Sequence, residues 1–394
     1  MRIVYPLASS WGGIPHYTAW LANAVSKYVE VKVLKPMDSN DKLFSKNVEV
    51  IKAFKPAHFS PYEREGLKAF SLRNFTNILS FKNLKLIKEI KPDIVHFTEL
   101  PPQFSLYVFL HKLYRNYPII STFHQVYKSP LHTFELPFLL NPKNFVYLFL
   151  RRSITEFLKH LVKFDRIIVH TQKCRYTLIE RGIDDKKIVV IPHGALTPFR
   201  KSTYENEYAA ETQENYLLFF GSLRENKGIE YLIKAITIVS RKIPNIKLII
   251  AGEGNLSKYL RLIEDWKKFE IYNEYIPDEK ISELFHRAKI VVLPYLSHRG
   301  HSGVLLQSFS YGRPVIVTNV GSLPELVIDG EAGLVIPPKN SEALAKAIIS
   351  LLEDNVLRKK MGKNALKMAE KLSWDNIARM HLRVYEEVLN ERRS

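Results

Sequence analysis

The sequence has little cysteine and no long apolar stretch. Cys174 is the single cysteine among 394 residues, so an internal disulfide framework and a zinc site built from cysteines are both excluded. No window reaches the roughly 18 uninterrupted apolar residues that a membrane span needs. The apolar run in MRIVYPLASSWGG is too short for a signal peptide. We therefore expect a protein of the cytoplasm.

Two motifs of cofactor and metal chemistry are also missing. No Gly-x-Gly-x-x-Gly follows the first predicted strand, which disfavours a nicotinamide dehydrogenase. No convincing Asp-x-Asp metal site is present, and Asp329-Gly-Glu331 is more typical of a turn before a strand. We expect neither a metal nor a bound cofactor.

Acidic residues are scarce in the first half of the chain. Residues 1–200 contain 30 Lys and Arg against 15 Asp and Glu, and residues 201–394 contain 28 against 25, which together give the net charge of +18. Such a field attracts an anionic partner: a membrane surface, a nucleic acid or a phosphorylated substrate. The basic residues form no recognisable nucleic-acid motif, so we expect no nucleic acid. A non-catalytic protein that binds anions or nucleic acid stays open as an alternative.

The sequence does contain a regular alternation of short β-branched runs with longer segments of helical period. Near-continuous apolar strands are buried on both faces, as in parallel sheets covered by helices. We predict an α/β protein with two doubly wound, Rossmann-like domains, joined by the Pro-, Gly- and polar-rich residues 192–215. The predicted strands are RIVYPL, VEVKVL, DIVHF, PIIST, RIIVH and KIVVI in the first half, and YLLFFG, IKLIIAG, IYNEYI, KIVVLPY, RPVIVT and AGLVIPP in the second.

Two strand-to-helix loops are candidates for anion binding, since ligands of open α/β sheets bind at the carboxyl ends of strands. In SSWGGIPHY, Gly12 and Gly13 let the backbone approach a ligand and present free N–H groups, although glycine turns after a first strand are common. In FFGSLRENKGIEYLI, Arg224 and Lys227 stand three apart between two glycines. This spacing favours a phosphate clamp over two solvated cations.

A third loop begins the stretch HSGVLLQSFSYGRPVIVT. His301, Ser302 and Gly303 fall where a helix over residues 303–311 is predicted to begin. The first N–H groups of a helix are unsatisfied and its dipole favours negative charge, so backbone alone could bind a phosphate. Gln307, one turn later, could hydrogen-bond a sugar hydroxyl. Alternatively, Ser302 only caps the helix and Gln307 only faces solvent.

Residues 133–166, TFELPFLLNPKNFVYLFLRRSITEFLKHLVKFDR, mix aromatic and aliphatic side chains with cations. A basic, aromatic-rich amphipathic segment suits the surface of an anionic membrane. A helix packed on its own sheet with solvated cations explains the pattern equally well. The first interpretation predicts a peripheral protein at the inner membrane face.

Several motifs occur in a fixed order along the second half of the chain. They are FFGSLRENKG, IIAGEGNLSKYL, YIPDEKISELFHRAKIVVLPY, SGVLLQSFSYGRPVIVTNVGSLPELVIDGEAGLVIPP and LSWDNIARMHLRVYEEVL. The first half adds GGIPHY, KPDIVHFTE, STFHQ and VIPHGA. In these motifs the chain resembles glycosyltransferase family four. The resemblance implies retaining enzymes of GT-B fold, whose two Rossmann-like domains face each other across a cleft and use sugar nucleotides.

The resemblance also implies domain bounds and roles. The domains would cover residues 1–197 and 198–373, with a terminal helix over 374–394 crossing back onto the first. Arg224 and Lys227 would clamp the diphosphate of the departing nucleotide, and His124 in STFHQ matches an active-site histidine near the donor sugar. Gly13 would approach the same phosphates and the backbone near Ile276 the nucleobase. The other residues implied in donor binding are Gly12, Gly221, Ser222, Glu253, His301, Ser302, Gly303, Val304 and Gln307.

The chain departs from the family pattern at several of these positions. Two glutamates that the family often carries eight residues apart are replaced by Arg299 and Gln307. The usual Gly-Arg pair reads Gly221-Ser222, so Arg224 is expected to supply the missing cation. The resemblance implies a hexosyltransferase using a GDP-, UDP- or ADP-linked sugar and a glycan or lipid-linked acceptor. Another GT-B enzyme, such as a sugar-nucleotide epimerase, stays open.

Overall fold

The computed structural model describes residues 1–10, 13–55, 80–100, 102–124, 126, 163–195, 214–298 and 301–394. The chain forms two compact units, one of Met1–Pro192 with Trp374–Ser394 and one of His193–Ser373. The predicted domain boundary at residue 197 lies outside the described residues. So do most of the predicted joining segment and most of the amphipathic segment 133–166.

The first unit is built on a seven-stranded parallel sheet. Its strands are β1 (Arg2–Pro6), β2 (Glu30–Pro36), β3 (Val48–Phe54), β4 (Ile94–Phe97), β5 (Ile119–Phe123), β6 (Arg166–Val169) and β7 (Ile188–Val190). The strand order is β3-β2-β1-β4-β5-β6-β7. The order reverses between β1 and β4, and such switch points are where open α/β sheets bind ligands.

The helices of this unit connect one strand to the next. In chain order they are α1 (Gly13–Val25), α2 (Leu86–Ile90), α3 (Pro102–Leu110), α4 (Leu113–Asn116) and α5 (Gln172–Ile179). Central strand residues such as Ile3 and Val95 are fully buried, because helices cover the sheet.

The second unit is built on a six-stranded parallel sheet of order β10-β9-β8-β11-β12-β13. The strands are β8 (Asn215–Phe220), β9 (Ile246–Ala251), β10 (Phe269–Tyr272), β11 (Ile290–Leu293), β12 (Val315–Thr318) and β13 (Gly333–Ile336). The helices are α6 (Ile229–Ser240), α7 (Ser257–Leu260), α8 (Asp278–Arg287), α9 (Gly303–Ser310), α10 (Leu323–Asp329), α11 (Ser341–Glu353) and α12 (Asn355–Lys371). Here the order reverses between β8 and β11.

The last helix, α13 (Trp374–Arg393), belongs to the first unit and packs against α1. It presents a buried face of helical period. One polar group on that face, the Tyr385 hydroxyl, lies 2.9 Å from the Tyr5 hydroxyl and 2.7 Å from Nδ1 of His96. The buried residues of the helix are Ile377, Ala378, His381, Val384, Tyr385 and Val388.

The α/β prediction with two doubly wound parallel sheets is confirmed. One strand, β3, was not predicted, because Glu49 and Lys52 interrupt its apolar run. Such charges are tolerated where a strand pairs on one side only, and β3 is an edge strand beside β2. The run IYNEYI was placed slightly late, since β10 already ends at Tyr272.

Among the residues that the structure describes, no helix has both the length and the apolar character required to cross a membrane.

Candidate functional site

The loop after β8 is held in place by the loop after β9. Gly221 N–H donates to the Ala251 carbonyl and Leu223 N–H to the Glu253 carbonyl, each at 2.9 Å. A Cβ at Gly252 would lie 2.1 Å from the Gly221 carbonyl oxygen, so only glycine permits this approach. The GEG sequence thus extends the pairing of the two strands beyond their ends and fixes the loop at the carboxyl edge of the sheet.

Lys227 lies in this loop and is half-buried. Its Nζ is 3.6 Å from the centre of the Tyr295 ring, a cation–π contact with a residue that follows β11. Burial and the neighbouring charge of Arg224 lower the pKa of Lys227 to about 8. The adjacent carboxylate of Glu225 pairs instead with Lys258. The charge of Arg224 acts on Lys227, so the two cations lie near each other.

The short 3₁₀ turn Glu225–Lys227 carries the lysine and lies between Arg224 and Gly228. Arg224 is exposed, and Gly228 is left-handed with φ of 67°. The Leu296 N–H donates to the Asn226 carbonyl at 2.8 Å, which ties this turn to the loop after β11.

The beginning of α9 lies against the same loop. Ser302 caps the helix, since its Oγ accepts from the Leu305 N–H at 3.3 Å, and its side chain also hydrogen-bonds to Tyr295. A Cβ at Gly221 would lie 3.4 Å from Cγ2 of Val304, so the β8 loop and the helix start are in contact distance. The N–H groups of Gly303 and Val304 have no partner within the helix because they open it.

Two histidines border this cluster. The His298 ring lies 5.5 Å from that of Tyr295, and burial together with the charge of Lys227 lowers the pKa of His298 to about 4. His298 is therefore neutral at pH 7. His301 stacks on His193, with ring centres 4.0 Å apart.

The structure thus brings together most residues predicted at the donor site of the second unit. Ser302 caps its helix, which is the role that the alternative interpretation gave it. Gln307, one turn further along the helix, is half-buried. Glu253 is exposed after β9, and Ile276 is buried in the loop after β10. Arg299 lies outside the described residues. The contacting group comprises Gly221, Ser222, Arg224, Lys227, His301, Ser302, Gly303 and Val304.

In the first unit, the loop after β1 begins with two backbone groups that are already paired. The N–H groups of Ala8 and Ser9 both donate to the carboxylate of Glu99. The Ser9 hydroxyl donates to the same carboxylate at 2.7 Å, and burial raises the pKa of Glu99. Gly13 opens α1, and a Cβ there would meet nothing within 4 Å. Gly12 lies outside the described residues.

His124 follows β5 and is half-buried. Its Nε2 lies 2.9 Å from the Thr98 carbonyl oxygen and its Nδ1 lies 2.9 Å from Nε2 of His170. The Tyr17 ring meets the imidazole edge to face at 4.6 Å between centres. Both ring nitrogens therefore have protein partners.

Sequence reasoning missed several residues of these sites. Glu99 stood in the quoted motif KPDIVHFTE, and an acid directly after a strand was the available signal. Tyr295 likewise follows a strand, and its position under Lys227 had no signal in the sequence. Tyr275, next to Ile276, is 76% exposed, which is unusual for an aromatic side chain and suits a flat ligand.

Replacing Gly228 with alanine is expected to destabilise the second unit by about 3 kcal/mol or more. A Cβ at this left-handed position would lie 1.9 Å from the Pro294 carbonyl oxygen. Gly182→Ala is the matched control, because Gly182 has φ of 81° but nothing within 4 Å of a Cβ. This control should lower the free energy of unfolding by only roughly 1 to 2 kcal/mol, the cost of placing a residue with a Cβ in the left-handed conformation. Denaturant unfolding of both variants measures the difference, and equal losses would contradict the predicted clash.

Two family models match the chain in succession. Residues 11–196 match the model described as Glycosyltransferase Family 4, and residues 200–368 match that described as Glycosyl transferases group 1. An uncharacterised glycosyltransferase of Methanocaldococcus jannaschii is 32% identical over 193 residues, which are 47% of this chain and 48% of that protein. The chain spans about half the length of the curated relatives it matches.

Solved structures resemble the chain over nearly its whole length. Sucrose-phosphate synthase from Thermosynechococcus elongatus has a TM-score of 0.73 at 18% identity, covering 99% of each chain. The Anabaena protein HepE in complex with UDP-glucose has a TM-score of 0.67 at 17% identity, covering 99% of this chain and 100% of that one. At these identities the likeness concerns the fold.

Proposed function

Because the chain belongs to glycosyltransferase family four, we propose that it transfers a sugar from a nucleotide-sugar donor to an acceptor, and that its second unit binds the donor. The observation that carries this proposal is the Arg224 and Lys227 pair beside the start of α9. Two cations, one of them half-buried, and a helix N-terminus converge on one place at the carboxyl edge of the sheet. This combination suits a diphosphate.

The same groups explain how the reaction would be accelerated. Breaking the bond between sugar and phosphate builds positive charge on the sugar and negative charge on the leaving nucleotide. That negative charge would be stabilised by Lys227, Arg224 and the N–H groups of Gly303 and Val304. These groups are held in position before the reaction begins, so they lower its activation barrier. In this proposal these groups supply the charge stabilisation, and no metal is required.

Retention of configuration is proposed from the resemblance to the family, and its proposed course is attack by the acceptor on the face that the nucleotide leaves. The donor is proposed to be a UDP-hexose, since a protein of similar fold binds UDP-glucose. GDP and ADP sugars are the alternatives. Tyr275 is proposed to lie against the base, and Gln307 to hydrogen-bond sugar or ribose hydroxyls through its amide, where the family often has an acid.

The acceptor is proposed to be a glycan or a lipid-linked molecule. The excess of cations in residues 1–200 supports an anionic surface as the place of reaction, because such a field concentrates anionic partners. A peripheral location at the inner membrane face follows from the same argument and is proposed with it.

Thermal unfolding with a panel of UDP-, GDP- and ADP-sugars tests the donor proposal. One sugar nucleotide should raise the melting temperature, and Lys227→Ala with Arg224→Ala should abolish the shift. Product analysis with the bound donor alone then separates transfer from epimerisation, since an epimerase converts the sugar nucleotide without any acceptor. A panel with no response, together with a response to nucleic acid or anionic vesicles, would replace the transferase proposal with a binding function.

The affinity for the nucleoside diphosphate is expected to fall as the pH rises through about 8, the pKa of Lys227 in the free protein. The charged lysine binds phosphate, so affinity should be constant below this pKa and decrease up to tenfold per pH unit above it. Lys227→Arg is the control, because a guanidinium stays charged and the pH dependence should disappear. Calorimetric titration with UDP from pH 7 to pH 9.5 measures both curves, and identical curves would contradict the assignment.

A further inference from the structure

Two histidine rings are hydrogen-bonded to each other at the carboxyl edge of the first sheet. His124 directly follows β5 and His170 directly follows β6, which are neighbouring strands. Nδ1 of His124 lies 2.9 Å from Nε2 of His170, and the ring centres are 4.9 Å apart.

The outer nitrogens of the two rings determine how many protons the pair carries. Nε2 of His124 lies 2.9 Å from the Thr98 carbonyl oxygen, and Nδ1 of His170 lies 2.9 Å from the Ile191 carbonyl oxygen. A carbonyl oxygen only accepts hydrogen bonds, so each outer nitrogen must donate a proton.

If both rings were neutral, the pair would have one proton too few to form all of these hydrogen bonds. A neutral imidazole has one N–H, and in both rings it is already directed outward at a carbonyl. The two inner nitrogens would then face each other at hydrogen-bonding distance with a lone pair each, which is repulsive. One further proton between them converts the repulsion into a charge-assisted hydrogen bond.

We propose that His124 and His170 share one additional proton as an imidazolium–imidazole pair, and that His170 is a positioning residue that keeps His124 in its cationic form. The pair then holds three protons on four nitrogens and a net charge of +1, and every one of its four nitrogens takes part in a hydrogen bond.

The surroundings place the charge on His124. His170 is buried, and burial lowers its pKa to about 4, whereas His124 is half-buried. Among the described residues of the first unit, the titratable groups that face the pair include Tyr17 from α1, His96 from β4 and His381 from α13. Burial lowers the pKa of His96 and of His381 and raises that of Tyr17, so these three groups are neutral at pH 7.

The consequence for catalysis rests on the proposed function. A cationic His124 has no lone pair, so it cannot act as a general base. It supplies a fixed positive charge at the carboxyl edge of the first sheet, suited to an anionic group that binds at this edge. His170 contributes by accepting a hydrogen bond from the Nδ1–H of His124, and its own role is therefore indirect.

Nitrogen-15 NMR of the histidine side chains tests the pair without any substrate. At pH 7, both nitrogens of His124 should have the shifts of protonated nitrogens, while His170 should show one protonated nitrogen and one with a lone pair. His96 is the internal reference for a neutral ring, because it contacts only hydroxyl groups through Nδ1 and Nε2. A lone pair on either nitrogen of His124 at this pH would overturn the proposal.

Two substitutions test the positioning role. His170→Leu removes the acceptor of the hydrogen bond from His124. The alkaline limb of the pH profile of the transfer rate should therefore move to lower pH by about one unit, which is roughly a tenfold loss of rate on that limb. His170→Gln retains an oxygen acceptor in the place of Nε2 and should restore the profile. A uniform rate loss in both variants, with the profile unmoved, would show a purely structural role and overturn the positioning claim. If no donor is found, the proposed function fails while the NMR result still decides whether the pair exists.

Discussion

Lys227→Ala is expected to slow sugar transfer by about a hundredfold or more, the usual effect of removing one preorganised group that stabilises developing negative charge. The Lys227 side chain is half-buried with its ammonium over the Tyr295 ring, where a charge interacts more strongly than in water. Arg224→Ala should cost less, because Arg224 is exposed. The double variant should lose less than the product of both effects, since the two cations act on the same phosphates.

The stability of the unliganded variant distinguishes this role from a structural one. The lowered pKa of Lys227 means that folding disfavours its charged form, so at pH 7 the lysine lowers stability compared with a neutral residue. Lys227→Ala should therefore lose activity without a fall in melting temperature, as is common for functional residues. Lys234→Ala is the matched control, because Lys234 is exposed in the same unit and pairs with Glu230. Full activity of Lys227→Ala would contradict the assignment.

Ending the chain after Ser373 is expected to leave the first unit unfolded. The removed helix α13 buries six side chains against that unit. Each large apolar side chain contributes about 1.5 to 3 kcal/mol by burial, so their sum is comparable with the 5 to 15 kcal/mol of a whole domain. The loss of Tyr385 would also leave the buried His96 and Tyr5 without a hydrogen-bond partner at that position.

A pair of adjacent substitutions tests the same packing more finely. Val384→Asp places a charge on the buried face and should cost several kcal/mol, whereas Arg383→Asp changes an exposed neighbour and should cost little. Circular dichroism and denaturant unfolding measure both. A chain ending at Ser373 that stays folded and active, or equal losses in the two point variants, would refute the packing argument.

The two doubly wound α/β domains and the loops of the second unit could be predicted because their signals are local. Apolar runs, glycines and cations between a strand and a helix are read within about a dozen residues, so Gly221, Lys227 and Ser302 were found. Their roles in donor binding stay predictions. The contacts of a loop could not be predicted from its local sequence. The Glu99 carboxylate, for example, accepts hydrogen bonds from the N–H groups of Ala8 and Ser9 but lies about ninety residues away in the sequence.

Long-range pairing limited the prediction further. His124 and His170 are 46 residues apart and meet only because β5 and β6 are neighbours. Nothing in either local sequence specifies that register, so His124 could be proposed from its motif while its partner could not. The edge strand β3 was missed for a different reason. Its charged residues interrupt the local apolar pattern, and a strand at the edge of a sheet tolerates such residues.

The position of α13 in the chain sets an order of assembly during synthesis. The second unit is continuous from His193 to Ser373, so all of it emerges from the ribosome in one stretch. The first unit begins to emerge earlier but receives its last helix only afterwards. Until then α1 lacks the partner that covers it, and the part of the protein made first is completed last.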